Sequence, residues 1–124
     1  MTIIRKAEAP VFTIPGLRVT GLASPNRGAR ETCLWRIVLE PGDAGVPHSV
    51  TREQTFLAVS GRALVKMAGQ EQRPLEPGDA LVVPPHAEFT LSNPSAEPFE
   101  AIVAFPVGGQ AVTRDGTFTP PWAE

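Results

Sequence analysis

The apolar residues of this chain come in short runs, none of them arranged as a helix face. Runs at Leu17–Leu22, Thr32–Leu39, Thr55–Val59, Arg62–Met67, Ala80–Val83, Phe89–Leu91 and Ala101–Phe105 are rich in Val, Ile, Leu, Phe and Thr, and Pro or Gly clusters bound most of them. Such spacing predicts the strands of a sandwich or barrel, with a turn after every few residues. No window of about a dozen residues keeps apolar positions at i, i+3, i+4 and i+7 without meeting Pro or Gly, so any helix is a single turn. Ser24–Arg30 and Pro94–Pro98 read as loops, and the chain from Gly108 onward reads as a loop-like tail. Its last stretch, Thr117–Glu124, carries Phe118, Pro120, Pro121 and Trp122, more aromatic surface than a free terminus needs, which predicts docking on the barrel or on a partner subunit.

Composition narrows this picture. A length of 124 residues fits one all-β domain over 1–124 with a single core. The 14 prolines and 11 glycines supply the many turns that short strands demand. With a net charge of -2 and no cluster of Lys or Arg interleaved with aromatics, nucleic acid is not an expected partner. No stretch is long enough to span a membrane, and Met1–Pro10 lacks the apolar core of a secretion signal. The lone cysteine, Cys33, has no intrachain disulfide partner, so the expected location is cytoplasmic. Set in the apolar run Thr32–Trp35, it reads as a small buried hydrophobe and not as a nucleophile.

One internal echo organises the middle of the chain: Glu40-Pro41-Gly42-Asp43-Ala44 recurs as Glu76-Pro77-Gly78-Asp79-Ala80. Pro sets φ at the second position of a β-turn and Gly accepts positive φ at the third, so two equivalent turns are implied, each ending one strand and launching the next. Each is followed by a Pro-His pair, Pro47-His48 and Pro85-His86, which hold the only two histidines. Histidine is the commonest metal ligand and the usual acid or base near neutral pH. The question these residues pose is whether two similar turns aim two imidazoles at one place.

Around these turns the sequence resembles the cupin family, whose first motif runs G-x5-HxH-x3,4-E-x6-G and whose second runs G-x5-PxG-x2-H-x3-N. Gly42, His48, Val50, Gln54 and Gly61 reproduce the first spacing over 42–61; Gly78, Pro84, His86, Phe89 and Asn93 reproduce the second over 78–93. The resemblance implies a double-stranded β-helix, or jelly-roll, barrel around a small-molecule pocket. It also implies a metal set at positions that here hold His48, Val50, Gln54 and Phe89, so only one imidazole of that set survives. Residues 48, 50, 54 and 56 share parity, and a locally regular strand points them into one cavity. Val50 and Phe89 then present hydrocarbon where the family has imidazoles, and a neutral Gln oxygen supplies less charge to a cation than a carboxylate does.

The expected pocket is apolar with a few fixed polar groups. Its walls are Trp35, Ile37, Val50, Phe56, Phe89, Leu91 and Phe105, and its polar handles are His48, Gln54 and His86. His86 stands where the motif has glycine, and His tolerates the left-handed conformation better than most residues. Glu53 adjoins Gln54 and is expected to face the other way. The preferred function is metal-independent proton transfer on a partly apolar small molecule, of isomerase, cyclase or lyase type. In it His48 is base or acid, Gln54 orients substrate or water, and His86 assists from the rim. Two alternatives accompany it: a metal-dependent oxygenase or isomerase with Fe, Mn, Ni or Zn held by His48, Gln54 and His86, and a non-catalytic ligand-binding or sensing module. Barrels of this kind imply a homodimer paired through an edge strand.

Overall fold

The structure, a computed structural model, describes residues 1–124. Each predicted run forms a strand whose ends fall within two residues of those expected, β6 beginning one residue later than its run and several others reaching beyond theirs. These are β2 (Leu17–Ala23), β3 (Thr32–Leu39), β5 (Gln54–Ser60), β6 (Ala63–Met67), β8 (Ala80–Val83), β9 (Phe89–Ser92) and β10 (Phe99–Pro106). Five shorter strands join them: β1 (Val11–Ile14), β4 (Ser49–Val50), β7 (Arg73–Leu75), β11 (Ala111–Thr113) and β12 (Gly116–Phe118). Helix is confined to three single 3-10 turns, Lys6–Glu8, Pro25–Arg27 and Pro121–Ala123. None is long and apolar enough to cross a membrane.

One layer is an antiparallel six-stranded sheet in the order β1-β2-β3-β10-β5-β8. The other consists of β12-β11-β4 and β7-β6-β9, joined by a bridge in which His48 and Phe89 exchange backbone hydrogen bonds of 3.0 and 2.8 Å. Strict alternation along β10 buries Phe99, Ala101, Val103 and Phe105, and these pack with Val50, Val65, Phe89 and Leu91 of the facing layer in one continuous core. This is the all-β jelly-roll barrel that the turn spacing implies.

The repeated pentapeptide does form two equivalent turns. Gly42 and Gly78 adopt φ of 83° and 90°, and the peptide N–H groups of Asp43 and Asp79 donate back to the carbonyls of Glu40 and Glu76. Each turn also clasps one distant residue on both sides, Asn93 just after β9 for the first and Ala58 of β5 for the second. Gly42 donates to Asn93 while Asn93 donates to Asp43, and Gly78 donates to Ala58 while Ala58 donates to Asp79. The second turn launches β8 directly; the first ends β3 but leads through a loop before β4 begins at Ser49.

From Gly108 onward the chain is more ordered than its composition predicts: it holds the β11–β12 hairpin and then docks on the barrel itself. Trp122 lies edge-on to Trp35 and Phe12, with ring centroids 6.3 and 6.0 Å away. Arg27 donates to the carbonyls of Leu22 and Trp122, and the Cys33 thiol donates to the carbonyl of Ala123. Cys33 is fully buried there, as the apolar run predicts, and burial pushes its thiol pKa above the ordinary 9.0 against the opposing pull of the Arg27 charge.

Candidate site at the His48–Phe89 bridge

Residues directly opposite one another in an antiparallel pair project from the same face. Phe89 is a core residue, so its bridge partner His48 also faces the barrel interior, and their ring centroids are 4.4 Å apart. Unlike Phe89, His48 keeps partial solvent access. Its Nδ1 lies 2.9 Å from the carbonyl oxygen of Val46. A carbonyl only accepts, so Nδ1 carries the hydrogen and the neutral ring leaves the Nε2 lone pair free. No other group of the chain bonds to this imidazole.

Across the interior, β5 supplies Gln54 and Phe56 from one inward face. The Phe56 ring meets Phe89 edge-on at 6.0 Å. Gln54 is 7% exposed, and its Oε1 is buried without a hydrogen-bond partner. A buried polar atom left alone is uncommon enough in native folds to need an explanation, and a ligand group is one of the few available. Glu53 is exposed, on the opposite side from Gln54 as alternation requires.

The two Pro-His segments do come side by side. Beyond the His48–Phe89 bridge, the peptide N–H of His86 donates to the carbonyl of Val50 at 2.8 Å. His86 is the one non-glycine residue at positive φ, 68°, and so accepts the conformation for which the motif employs glycine. Its exposed side chain makes no hydrogen bond within the chain, in contrast to the inward His48. The structure thus brings His48, Val50, Phe56 and Phe89 together by ring and strand contacts. Gln54 stands on the same inward face, and His86 lies at the rim.

Tested against a divalent metal, this donor set does not fit. Of the four aligned positions, Val50 and Phe89 offer no lone pair, leaving one imidazole nitrogen and one amide oxygen, whereas catalytic centres usually keep three good protein ligands. Nowhere do three His, Cys, Asp or Glu side chains come together as a metal site.

The seven wall residues, Trp35, Ile37, Val50, Phe56, Phe89, Leu91 and Phe105, are all closely packed, at 1–8% exposure. They form the packed core around the site and leave no wide apolar bowl, with only His48 among the inward residues of the bridge partly exposed. Two depressions lie elsewhere on the surface. One, of about 610 Å³, is lined by Arg18, Glu40, Glu97 and Glu100 at the far ends of the strands; the other, of about 360 Å³, lies between Met67, Arg73 and Leu81. Neither includes a histidine or an unpartnered buried atom, so chemistry and not surface shape locates the site. One feature had no sequence signal at all: the Val46 carbonyl that holds the imidazole. The motif asparagine is structural: fully buried Asn93 donates to Leu39 and Glu97 and accepts from Ser95.

Residues 35–105 match the family model for the cupin domain. No curated protein matches the chain in sequence. Among solved structures, the polyketide cyclase RemF from Streptomyces resistomycificus is similar with a TM-score of 0.78 at 15% identity, over 86% of this chain and 79% of that one. KdgF from Halomonas sp. aligns with a TM-score of 0.71 at 26% identity, over 85% and 94%. An RmlC-like cupin from Shewanella frigidimarina aligns with a TM-score of 0.72 at 23% identity, over 84% and 88%. With its two motif turns, its jelly-roll layers and more than half its length covered by the family model, the chain belongs to the cupin family.

Proposed function

We propose that this cupin binds a small, partly apolar molecule at the His48 opening and moves a proton on it without a metal. The observation that carries the reading is the pairing of an inward imidazole, whose Nε2 is left basic by the Nδ1–Val46 contact, with the unpartnered Gln54 oxygen. The packed Phe89 and Phe56 rings fix the imidazole from behind, His48 removes or returns the proton, and Gln54 orients the reacting group. His86 is assigned an assisting place at the rim. Metal independence rests on the donor set, in which Val50 and Phe89 replace ligands with hydrocarbon. That the same fold carries a polyketide cyclase agrees with a barrel able to host such chemistry.

Proton transfer can be tested before the natural substrate is known. In D2O, 2-tetralone is expected to exchange its C1 hydrogens for deuterium faster with the protein than in buffer, with the rate kept in EDTA and lost in His48→Ala. Exchange no faster than buffer would favour a barrel that only binds, and a rate abolished by EDTA would favour the metal-dependent alternative.

The proposed assembly is a homodimer through β8. This strand ends the six-stranded sheet, and Val82 upon it continues an exposed apolar surface with Leu57 and Val59 of β5. An apolar edge of this kind is protected when a second copy pairs with it. Light scattering at micromolar concentration is expected to give twice the chain mass; a monomer would refute the assembly.

A further inference from the structure

The single 3-10 turn Pro121–Ala123 covers Cys33, whose fully buried thiol donates to the carbonyl of Ala123. We infer that this turn is a releasable lid over a thiol modification site, and that a small disulfide reacting with Cys33 holds the lid off while the barrel stays folded. With the lid docked, the thiol is the inert buried group that its sequence setting predicts.

What holds the lid is local. The peptide N–H of Asn26 donates to the carbonyl of Glu124 at 3.1 Å, Arg27 donates to the carbonyl of Trp122 at 3.2 Å, and the Trp122 ring rests edge-on against Trp35 and Phe12. None of these ties is part of a sheet ladder, so the turn can leave without breaking a strand pair. Two buried polar atoms also lower the cost of release. Ala23 pairs with Leu34 in the β2–β3 register and Ser24 continues in extended conformation, at φ -160° and ψ 169°, so Ser24 next opposes Cys33 and projects to the same side. Ser24 Oγ is fully buried and unpartnered there, as is Trp122 Nε1 in the lid, and water satisfies both once the turn lifts.

Release changes the thiol as well as uncovering it. Burial, the larger influence on Cys33, raises its pKa, and lifting the turn removes that influence while the opposing Arg27 charge remains. The thiol then gives its proton to solvent, and the thiolate attacks one sulfur of the disulfide. A Cys33–S–S–R bond forms, the original S–S bond breaks, and the second sulfur leaves as a thiolate. The added group needs the space that Ala123 fills, so adduct and docked lid exclude one another.

The test uses the full chain and 2,2′-dithiodipyridine in mildly alkaline buffer, with release of pyridine-2-thione followed by absorbance in urea concentrations below the unfolding transition. Labelling through the lid is expected at a rate nearly independent of urea, because a local opening exposes little surface. In the purified adduct the Trp122 indole N–H signal is expected to move to a solvent-exposed position in NMR while the strand amides keep their shifts, and dithiothreitol should restore the original spectrum. Trp122→Ala is expected to label about ten- to a hundredfold faster, still without urea dependence, as loss of the indole packing predicts. No reaction, a rate that rises from zero urea with the slope of global unfolding, an adduct with unchanged Trp122 signal or lost strand signals, or a folded Trp122→Ala that labels no faster would overturn the inference. The wild-type measurements decide it even if the variant does not fold.

Discussion

Beneath the C-terminal tail, Arg27 and Cys33 direct their donors to the carbonyls of Leu22, Trp122 and Ala123, whereas at the His48 opening the imidazole holds one carbonyl and the Gln54 side chain holds none. Both regions put polar side chains against the same core. In the tail clamp these groups tie the last residues of the chain to β2 and β3, and the aromatic contacts of Trp122 with Trp35 and Phe12 close the joint. The clamp also buries two atoms without partners, Ser24 Oγ and Trp122 Nε1, but the Arg27 guanidinium and the Cys33 thiol are engaged there. At the His48 bridge, the unengaged atoms belong to an acid–base group that is partly exposed and to Gln54 on the same inward face. Polar groups that hold the fold together are costly to remove; polar groups kept for a ligand are not.

The clamp should therefore show the largest effect on stability. Trp122→Ala removes a half-buried indole packed on Trp35, and is expected to destabilise the domain by about 2–3 kcal/mol, seen as a melting temperature lower by roughly 10 °C. A fall of less than about 2 °C would mean that the tail only rests on the barrel.

Gln54→Leu should do the opposite. Replacing an unpartnered buried amide by a hydrocarbon of similar volume is expected to leave chemical-denaturation stability unchanged or raise it by about 1 kcal/mol. A loss above about 2 kcal/mol would make Gln54 a structural residue and erase its contrast with the clamp.

The smallest effect concerns Cys33. Its thiol pKa is raised in the folded chain, first by burial and with Arg27 opposing, so the stability it contributes is complete below the ordinary 9.0 and is lost as pH rises above that value. Thermal melts from neutral pH to about pH 10 are expected to fall more steeply in the wild type than in Cys33→Ala above pH 9. Parallel curves would show that the thiol environment does not differ between folded and unfolded chains.

The sequence made the framework readable wherever a pattern was local. Seven apolar runs became strands, and the twin pentapeptides became turns with glycines at positive φ, because chain chemistry alone dictates those choices. The strands it concealed depend on partners far along the chain. Two-residue β4 exists through β11, and β7 carries Pro74, which weakens any strand signal while an edge position tolerates it. The tail read as a loop because its hairpin and its docking surface are tertiary. At the site, motif spacing put His48, Val50, Gln54 and Phe89 at the family's ligand positions and showed the hydrocarbon at two of them, but not that His48 pairs with Phe89. It did not show that Val46 holds Nδ1, that the Gln54 oxygen has no partner, or that the apolar walls close to a packed core. Those facts arise from how two sheets meet.

The central claim, a proton-transfer site that works without a metal, is tested most directly by the metal content of the purified protein. Plasma mass spectrometry would be run as isolated, after dialysis against Fe, Mn, Ni and Zn in turn, and on His48→Ala. The account predicts far less than one metal per chain under every condition, with no difference between wild type and variant. Near-stoichiometric metal in the wild type that disappears in His48→Ala would contradict it.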